Sequence, residues 1–250
     1  MDREFFYKES QGTGDLDYER YLNTSGLLSL QKPFEELCNA DELQFMIIHQ
    51  VEELWMKLIM YTLLDIDDYI AQKNTLRVVT LFSRVHRIQR MMIQQLDILE
   101  TMSPKEYQEI RLQLGNGSGQ ESPGFKILRK MPQKIWDSFE SQYLKSSGLT
   151  VADIYHHKYN HDEAYVVAEA MVEFDELFQK FLYHHILLIR RSIGLEAKSL
   201  KGRSVSLLEK GLKMRFFPKL WDVRSWMTDE WGGEYGEVRQ SLSEIESSGH

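Results

Sequence analysis

The sequence contains a single cysteine, Cys38, among its 250 residues. One cysteine cannot form an intramolecular disulfide or a cysteine-rich zinc or iron–sulfur site, so both are excluded. We interpret Cys38 as a small buried apolar residue. Proline and glycine are also sparse, with 5 and 15 residues, so little interrupts regular secondary structure.

Basic blocks and long apolar runs are missing as well. The net charge is -8, and Glu209 interrupts the densest basic segment, 201–215, which argues against a nucleic-acid partner. Charged residues break every apolar run before membrane-spanning length, and the N-terminus lacks a signal-peptide pattern. We therefore expect a cytoplasmic protein that binds neither nucleic acid nor membrane.

The intervals between prolines and glycines carry helical apolar periodicity, which predicts an all-α fold: a bundle of long antiparallel helices. We expect one domain spanning residues 1–250, with residues 1–13 frayed and flexible. The predicted helices cover about 15–31, 41–72, 75–100, 104–114, 125–129, 133–144, 162–193, 205–214 and 218–227, followed by an amphipathic tail from 234.

His185 lies on the apolar face of the predicted helix 162–193, whereas His184 falls on a polar stripe. The residues that share the face of His185 at helical spacing are Phe174, Phe178, Phe181 and Leu188. Two interpretations are open: a core histidine bonded to a carbonyl group, or a ligand.

His49 occupies a similar position on the second long helix, on one face with Phe45 and Met56. Two inward-facing histidines on two long helices can bracket a cofactor cavity. A carboxylate-bridged di-iron site is disfavoured, because a Glu-x-x-His pair is needed from each of two helices and none is present.

The other histidine-containing segments indicate less specific roles. His86 lies among arginines, which indicates a solvated helix face. In the segment 156–163, His157 and His161 have spacing suited to zinc, but without HExxH or a cysteine partner a polar helix start is favoured.

Arg111 follows Tyr107 by one helical turn and leads into a glycine-rich loop. A guanidinium beside a pocket can bind a carboxylate through two hydrogen bonds. An exposed surface arginine is the competing interpretation.

Several motifs together resemble the tryptophan 2,3-dioxygenase family and the wider group of histidine-ligated haem oxygenases. They are YERYLNTSGLLSLQ at 18–31, ELQFMIIHQVEELWMKL at 42–58, ETMSPKEYQEIRLQLG at 100–115, HHILLIRRSIG at 184–194 and RFFPKLWDVR at 215–224. Their order and spacing follow the family from about Tyr18 to Arg224.

The resemblance implies a haem b cofactor enclosed by the bundle, with His185 as the axial ligand of the iron. It also implies that His49 is the catalytic distal histidine and that Phe45 is a pocket residue. Arg111 would bind the substrate carboxylate, with Tyr107 beside it.

The resemblance further implies a homotetramer, since Tyr18, Tyr21 and Leu22 match residues that reach into a neighbouring subunit's pocket. Ser199 matches a hydroxyl that contacts the amino-acid end of the substrate. Its loop, 198–204, has lost the family's glycines, and the segment 117–122 has lost an aromatic residue and gained a charge.

The expected activity is oxidation of L-tryptophan by dioxygen to N-formylkynurenine. The altered loops bear on the substrate and keep two alternatives open. One is a haem-dependent monooxygenase that hydroxylates tryptophan, tyrosine or a derivative, and the other is a non-catalytic haem-binding sensor or paralogue.

Overall fold

A computed structural model of the chain describes residues 1–115, 117, 119–156, 161–194, 210–231 and 241. Within these residues the regular secondary structure is helical and contains no strand, which confirms the predicted all-α class. The helices are α1 (Arg3–Ser10), α2 (Asp17–Leu22), α3 (Thr24–Leu28), α4 (Asp41–Ala71), α5 (Thr75–Leu99), α6 (Pro104–Gln113), α7 (Pro123–Leu128), α8 (Met131–Phe139), α9 (Val151–His156), α10 (Glu163–Ile193) and α11 (Pro218–Trp231).

The core lies between the three longest helices, α4, α5 and α10. Their starts follow from local chemistry, because the side chain of Asn74 caps α5 and that of Asp162 caps α10. Helical periodicity then directs one stripe of each helix inward. On α4 the buried apolar stripe consists of Ile48, Met56, Ile59, Leu63, Ile66 and Ile70.

The directions of the long helices follow from hydrogen bonds between them. Gln44, near the start of α4, donates to the carbonyl oxygen of Ile98 at the end of α5 over 2.8 Å, so this pair is antiparallel. Gln89 on α5 donates to the carbonyl oxygen of Phe174 over 2.9 Å. Because His86 contacts Ala170 one turn earlier on both helices, α10 runs parallel to α5. The segment 100–162 returns the chain to the starting end of α5.

The N-terminal region differs from the sequence prediction in two places. The helix expected at about 15–31 is divided into α2 and α3, because Asn23 adopts a left-handed conformation with φ 52°. The segment predicted to be frayed contains α1, although none of its residues is buried. The prediction for 205–214 falls largely on residues that are not described, and the tail from 234 lies outside the described residues apart from Ser241.

Two predictions about single side chains were wrong. Cys38 is exposed, because it precedes α4 in a surface segment and does not lie on a packed face. His86 is only 5% exposed, since α10 covers its side of α5. Its Nε2 lies 2.9 Å from the carbonyl oxygen of Ala170 and its Nδ1 lies 3.2 Å from Oε2 of Glu173.

A buried carboxylate attaches the last helix to α10. Asp175 is 1% exposed, and its Oδ2 accepts hydrogen bonds from the backbone N–H groups of Phe216 and Phe217 and from the indole of Trp221. These three donors compensate the carboxylate for its loss of water. The segment 215–224 is thereby fixed against the helix that carries His185.

None of the helices in the described part of the chain is long and apolar enough to span a membrane.

Candidate functional site

His49 lies in the first half of α4, and its tautomer is set by its own helix. Its Nδ1 is 2.7 Å from the carbonyl oxygen of Phe45. Since a carbonyl oxygen can only accept, Nδ1 carries the proton and Nε2 is an acceptor, with no donor to it among the described residues. Burial lowers the pKa of His49, while the negative charge of Glu53 opposes the shift. A neutral imidazole with an available Nε2 can act as a hydrogen-bond acceptor or a base.

His185 lies in the second half of α10, on the apolar face that the periodicity predicted. Phe174, Phe178, Phe181 and Leu188 are all buried, and the ring of Phe181 stacks with that of His185 at a centroid distance of 6.1 Å. Burial, together with the smaller effect of the nearby His49, lowers the pKa of His185 to about 4. The imidazole is therefore neutral at neutral pH, which is the form that binds a metal ion.

The ring nitrogens of His185 have no hydrogen-bond partner among the residues that the structure describes. A core histidine held by a carbonyl group, which was the competing interpretation, would show such a bond. The side chain is thus in a form that can bind a ligand, and its assignment to iron stays a prediction.

Helix α6 brings Tyr107 and Arg111 to the side of the site formed by α4. The ring centroids of Tyr107 and Phe45 are 6.3 Å apart, and Phe45 lies against His49 with a centroid distance of 4.1 Å. Burial raises the pKa of Tyr107, while the charge of Arg111 lowers it. The two residues are therefore close to each other, as one helical turn predicts, and both lie near the Phe45 and His49 pair.

The start of α6 is fixed from two directions. Ser103 caps the helix and Pro104 occupies its first position, as the sequence predicts. Asn39, just before α4, donates from Nδ2 to the carbonyl oxygen of Glu106 over 3.1 Å and to a carboxylate oxygen of Glu109 over 3.0 Å. These bonds hold α6 against the start of α4 and so set the position of Arg111 relative to His49.

The loop between α6 and α7 lies against His185. A Cβ atom added to Gly119 would lie 3.9 Å from Cε1 of that histidine. Part of the segment 117–122, in which the sequence departs from the family pattern, therefore lies beside the candidate ligand. Glu121, the charged residue of this segment, has an exposed side chain.

Two acidic residues on α4, Glu52 and Glu53, follow His49 by one helical turn. Glu52 is 9% exposed, its Oε1 has no hydrogen-bond partner among the described residues, and burial raises its pKa to about 7. Glu53 accepts a hydrogen bond from the backbone N–H of Gly124. The sequence signal that points to Glu52 and Glu53 is the position of both carboxyl groups one turn after His49.

Within the described part of the chain, no three or more histidine, cysteine, aspartate or glutamate side chains are grouped as a metal site would require. Neither the di-iron arrangement nor the zinc arrangement therefore has support there, although His157 lies outside the described residues. A single neutral histidine suits haem, because the porphyrin supplies the other ligands of the iron. The aromatic side chains around both histidines also suit a flat apolar group.

The remaining predicted residues do not join this cluster. Tyr18, Tyr21 and Leu22 lie on α2 with 70%, 90% and 46% of their surfaces exposed. Side chains of this kind are free to contact another subunit. Ser199 and its loop lie outside the described residues.

Comparison with known proteins identifies the family of the chain. The family model for tryptophan 2,3-dioxygenase matches residues 6–135, which include His49, Arg111 and the loop that follows. Tryptophan 2,3-dioxygenase of Myxococcus xanthus is 30% identical, and the alignment covers 86% of this chain and 91% of that protein.

Two further relatives of the same name show similar coverage. The protein of Serratia proteamaculans is 28% identical over 84% of this chain and 92% of its own length. The protein of Erythrobacter litoralis is 28% identical over 84% of this chain and 98% of its own length. The chain therefore belongs to the tryptophan 2,3-dioxygenase family, a family of haem-dependent dioxygenases.

Proposed function

We propose that this chain is a haem-dependent L-tryptophan 2,3-dioxygenase that inserts both atoms of dioxygen across the indole C2–C3 bond to give N-formylkynurenine. The observation that carries the proposal is the proximity of the His49 and His185 imidazoles, on α4 and α10, which is close enough for a charge on His49 to lower the pKa of His185. Family membership identifies the reaction class to which this geometry belongs.

In this proposal His185 holds the haem b iron as its single protein ligand. Haem, when bound, supplies the activation of dioxygen, which no protein side chain can provide. The stacked Phe181 and the buried phenylalanines of α10 fix the orientation of the imidazole. The protein thereby determines where the cofactor lies and excludes water from one side of it.

Arg111 and His49 orient the substrate. The guanidinium of Arg111 pairs with the amino-acid carboxylate, and Tyr107 packs beside it. The Nε2 of His49 accepts a hydrogen bond from the indole N–H, because its Nδ1 proton is already donated to Phe45. The ring of Phe45 forms part of the wall against which the indole lies.

The site is completed by segments beyond this core. Ser199 contacts the amino-acid end of the substrate, and Tyr18, Tyr21 and Leu22 reach into the pocket of a neighbouring subunit in a homotetramer. The high exposure of the three α2 residues in the single chain supports this role. A stripe of exposed apolar side chains on α4 provides further surface for subunit contact: Ile47, Leu54, Leu58 and Tyr61.

The proposal is tested by the absorption spectrum of the haem-loaded protein and by mass spectrometry of the product from L-tryptophan under labelled dioxygen. Two incorporated labelled atoms support a dioxygenase. A protein that takes up no haem contradicts the cofactor assignment.

A second candidate is a monooxygenase that hydroxylates an aromatic amino acid. It is favoured by the acidic Glu121 in the loop beside His185, where the family pattern has no charge. One labelled oxygen atom in the product would identify this reaction. Normal haem spectra without oxygen consumption would instead indicate a sensor or paralogue.

A further inference from the structure

The first turn of α7 is capped by a residue from another helix. The first helical residue, Pro123, has no N–H to satisfy. The N–H of Phe125 donates to Oγ of Ser122 over 2.9 Å. The N–H of Gly124 donates to Oε2 of Glu53 on α4 over 3.1 Å. A carboxylate from outside the helix thus satisfies the one free donor that the local sequence leaves without a partner.

The contact between Gly124 and α4 leaves no room for a side chain. A Cβ atom at Gly124 would lie 2.8 Å from Oε2 of Glu53, 2.8 Å from Cβ of Met56 and 3.2 Å from its sulfur atom. Glycine is therefore required by the close approach of the α7 backbone to α4.

The same short segment also contacts α10. The ring of Phe125 stacks on that of Phe178 with a centroid distance of 5.5 Å. At its other end the segment places Gly119 beside His185. Residues 119–125 therefore bridge the helix that carries His49 and the helix that carries His185.

We propose that Glu53 is a positioning residue that fastens the segment 119–125 to α4, and thereby sets the position of the loop that contacts the substrate. That this loop forms part of the substrate-binding surface is itself part of the proposal, argued from the approach of Gly119 to His185, and it rests on the function proposed above. Glu53 lies one turn after His49, so its hydrogen bond ties the loop to the turn of α4 that follows that histidine. Movement of the loop away from α4 requires this bond to break.

If Glu53 only capped and stabilised α7, its removal would have a different effect from the one expected of a positioning residue. Removing it would lower the stability of the fold and leave substrate affinity unchanged. A residue that positions the loop instead changes KM when it is removed, because the binding surface for the substrate is no longer held in place.

The first test is hydrogen exchange of the purified full-length chain, which requires no turnover. In Glu53→Ala we expect the Gly124 amide to exchange about tenfold faster, because it loses a charge-assisted hydrogen bond. Glu53→Gln keeps an oxygen that can accept the same bond, so its exchange rate should fall between those of Glu53→Ala and the wild type. Asp65→Ala, which removes an exposed carboxylate from the same helix, should leave exchange at Gly124 unchanged.

A second variant disturbs the hydrogen bond between Gly124 and Glu53 by changing the loop residue instead of the glutamate. The added Cβ of Gly124→Ala meets Glu53 and Met56, so the same segment should exchange faster even with Glu53 intact. Because both substitutions break one contact, the double variant should exchange less rapidly than the product of the two single effects predicts.

The kinetic test uses the haem-loaded variants with L-tryptophan. We expect about a tenfold rise in KM for Glu53→Ala with kcat changed less than KM, and partial recovery in Glu53→Gln. Unchanged exchange at Gly124 would overturn the proposal, and so would faster exchange with an unchanged KM. An inactive wild-type chain would contradict the proposed function but leave the exchange test of the bond valid.

Discussion

His86 and His185 lie on two neighbouring long helices, α5 and α10, yet their chemistry differs. Both nitrogens of His86 have partners, the carbonyl oxygen of Ala170 and the carboxylate of Glu173. The nitrogens of His185 have none among the described residues. Burial lowers the pKa of both side chains, but in His86 the charge of Glu173 opposes the shift, whereas in His185 the neighbouring His49 adds to it.

The difference shows that burial alone does not identify a functional histidine. A buried polar group is normally paired, so an unpaired one indicates a missing ligand or a chemical role. His86 and Asp175 belong to the paired class and serve the fold. The ring nitrogens of His185, which is only partly buried, have no hydrogen-bond partner among the described residues, and Oε1 of Glu52 has none there either. Both residues lie in the part of the molecule that contains the candidate site.

The largest expected effect is that of His185→Ala. The variant should lose the haem absorption spectrum and all measurable turnover of L-tryptophan, because the iron loses its only protein ligand. His184→Ala is the matched control and should retain both. A His185→Ala protein with normal haem uptake and activity would place His185 in the same structural class as His86.

Asp175→Ala should have the largest effect on stability. Removing the carboxylate leaves three buried N–H donors without their acceptor, which should lower the free energy of unfolding by about 3–5 kcal/mol. Urea denaturation measures the change. Glu176→Ala, which removes an exposed ion pair with Lys180, should cost less than about 1 kcal/mol. Equal decreases in the free energy of unfolding for the two variants would show that the hydrogen bonds to Asp175 contribute little to stability.

Glu52→Gln should change the pH dependence of stability. The pKa of Glu52 is raised to about 7 in the folded chain, so the folded state holds the proton more tightly than the unfolded state. The contribution of Glu52 to the free energy of unfolding is fully present below about pH 4.5 and is lost as the pH rises through 7.

The neutral glutamine avoids that loss, so the variant should be more stable than the wild type by up to about 3 kcal/mol at pH 8 and similar to it at pH 4.5. Denaturation at both pH values measures the difference. Glu36→Gln, at an exposed position, should have little effect at either. No gain at pH 8 would show that Glu52 has a partner that stabilises its charge.

His49→Ala should slow turnover without abolishing it. A positioned acceptor for a proton contributes about 100-fold or more to a rate, so kcat should fall by about that factor while the haem spectrum of the variant stays close to that of the wild type. Steady-state kinetics and the absorption spectrum measure the two effects. Loss of haem in this variant would show that His49 holds the cofactor as well.

His86→Ala should have the smallest effect. In contrast to the variants of His185 and His49, it should change stability and leave haem uptake and activity unchanged. Losing its hydrogen bonds and its contact with Phe82 should lower the free energy of unfolding by about 2 kcal/mol. Haem uptake and KM should stay unchanged, which thermal unfolding and kinetics can check together. Impaired haem uptake in a folded His86→Ala protein would break the distinction between the two histidines.

The sequence by itself determined the long helices, the capped start of α6 and the inward face of α10, because helical periodicity and capping depend on residues a few positions apart. The register of His185 among its phenylalanines follows from the same local rule. Packing decided which polar residues are covered and which are paired. The prediction for His86 was wrong because its arginine neighbours in the sequence indicate solvent, while α10 covers its side of the helix.

Likewise, the bond from Glu53 to Gly124 joins residues 71 positions apart, and Asp175 meets its donors more than 40 positions along the chain. No local pattern specifies such contacts, since they depend on how the helices pack against one another. Periodicity therefore placed His185 on an apolar face, and the tertiary structure shows no hydrogen-bond partner for its nitrogens among the described residues.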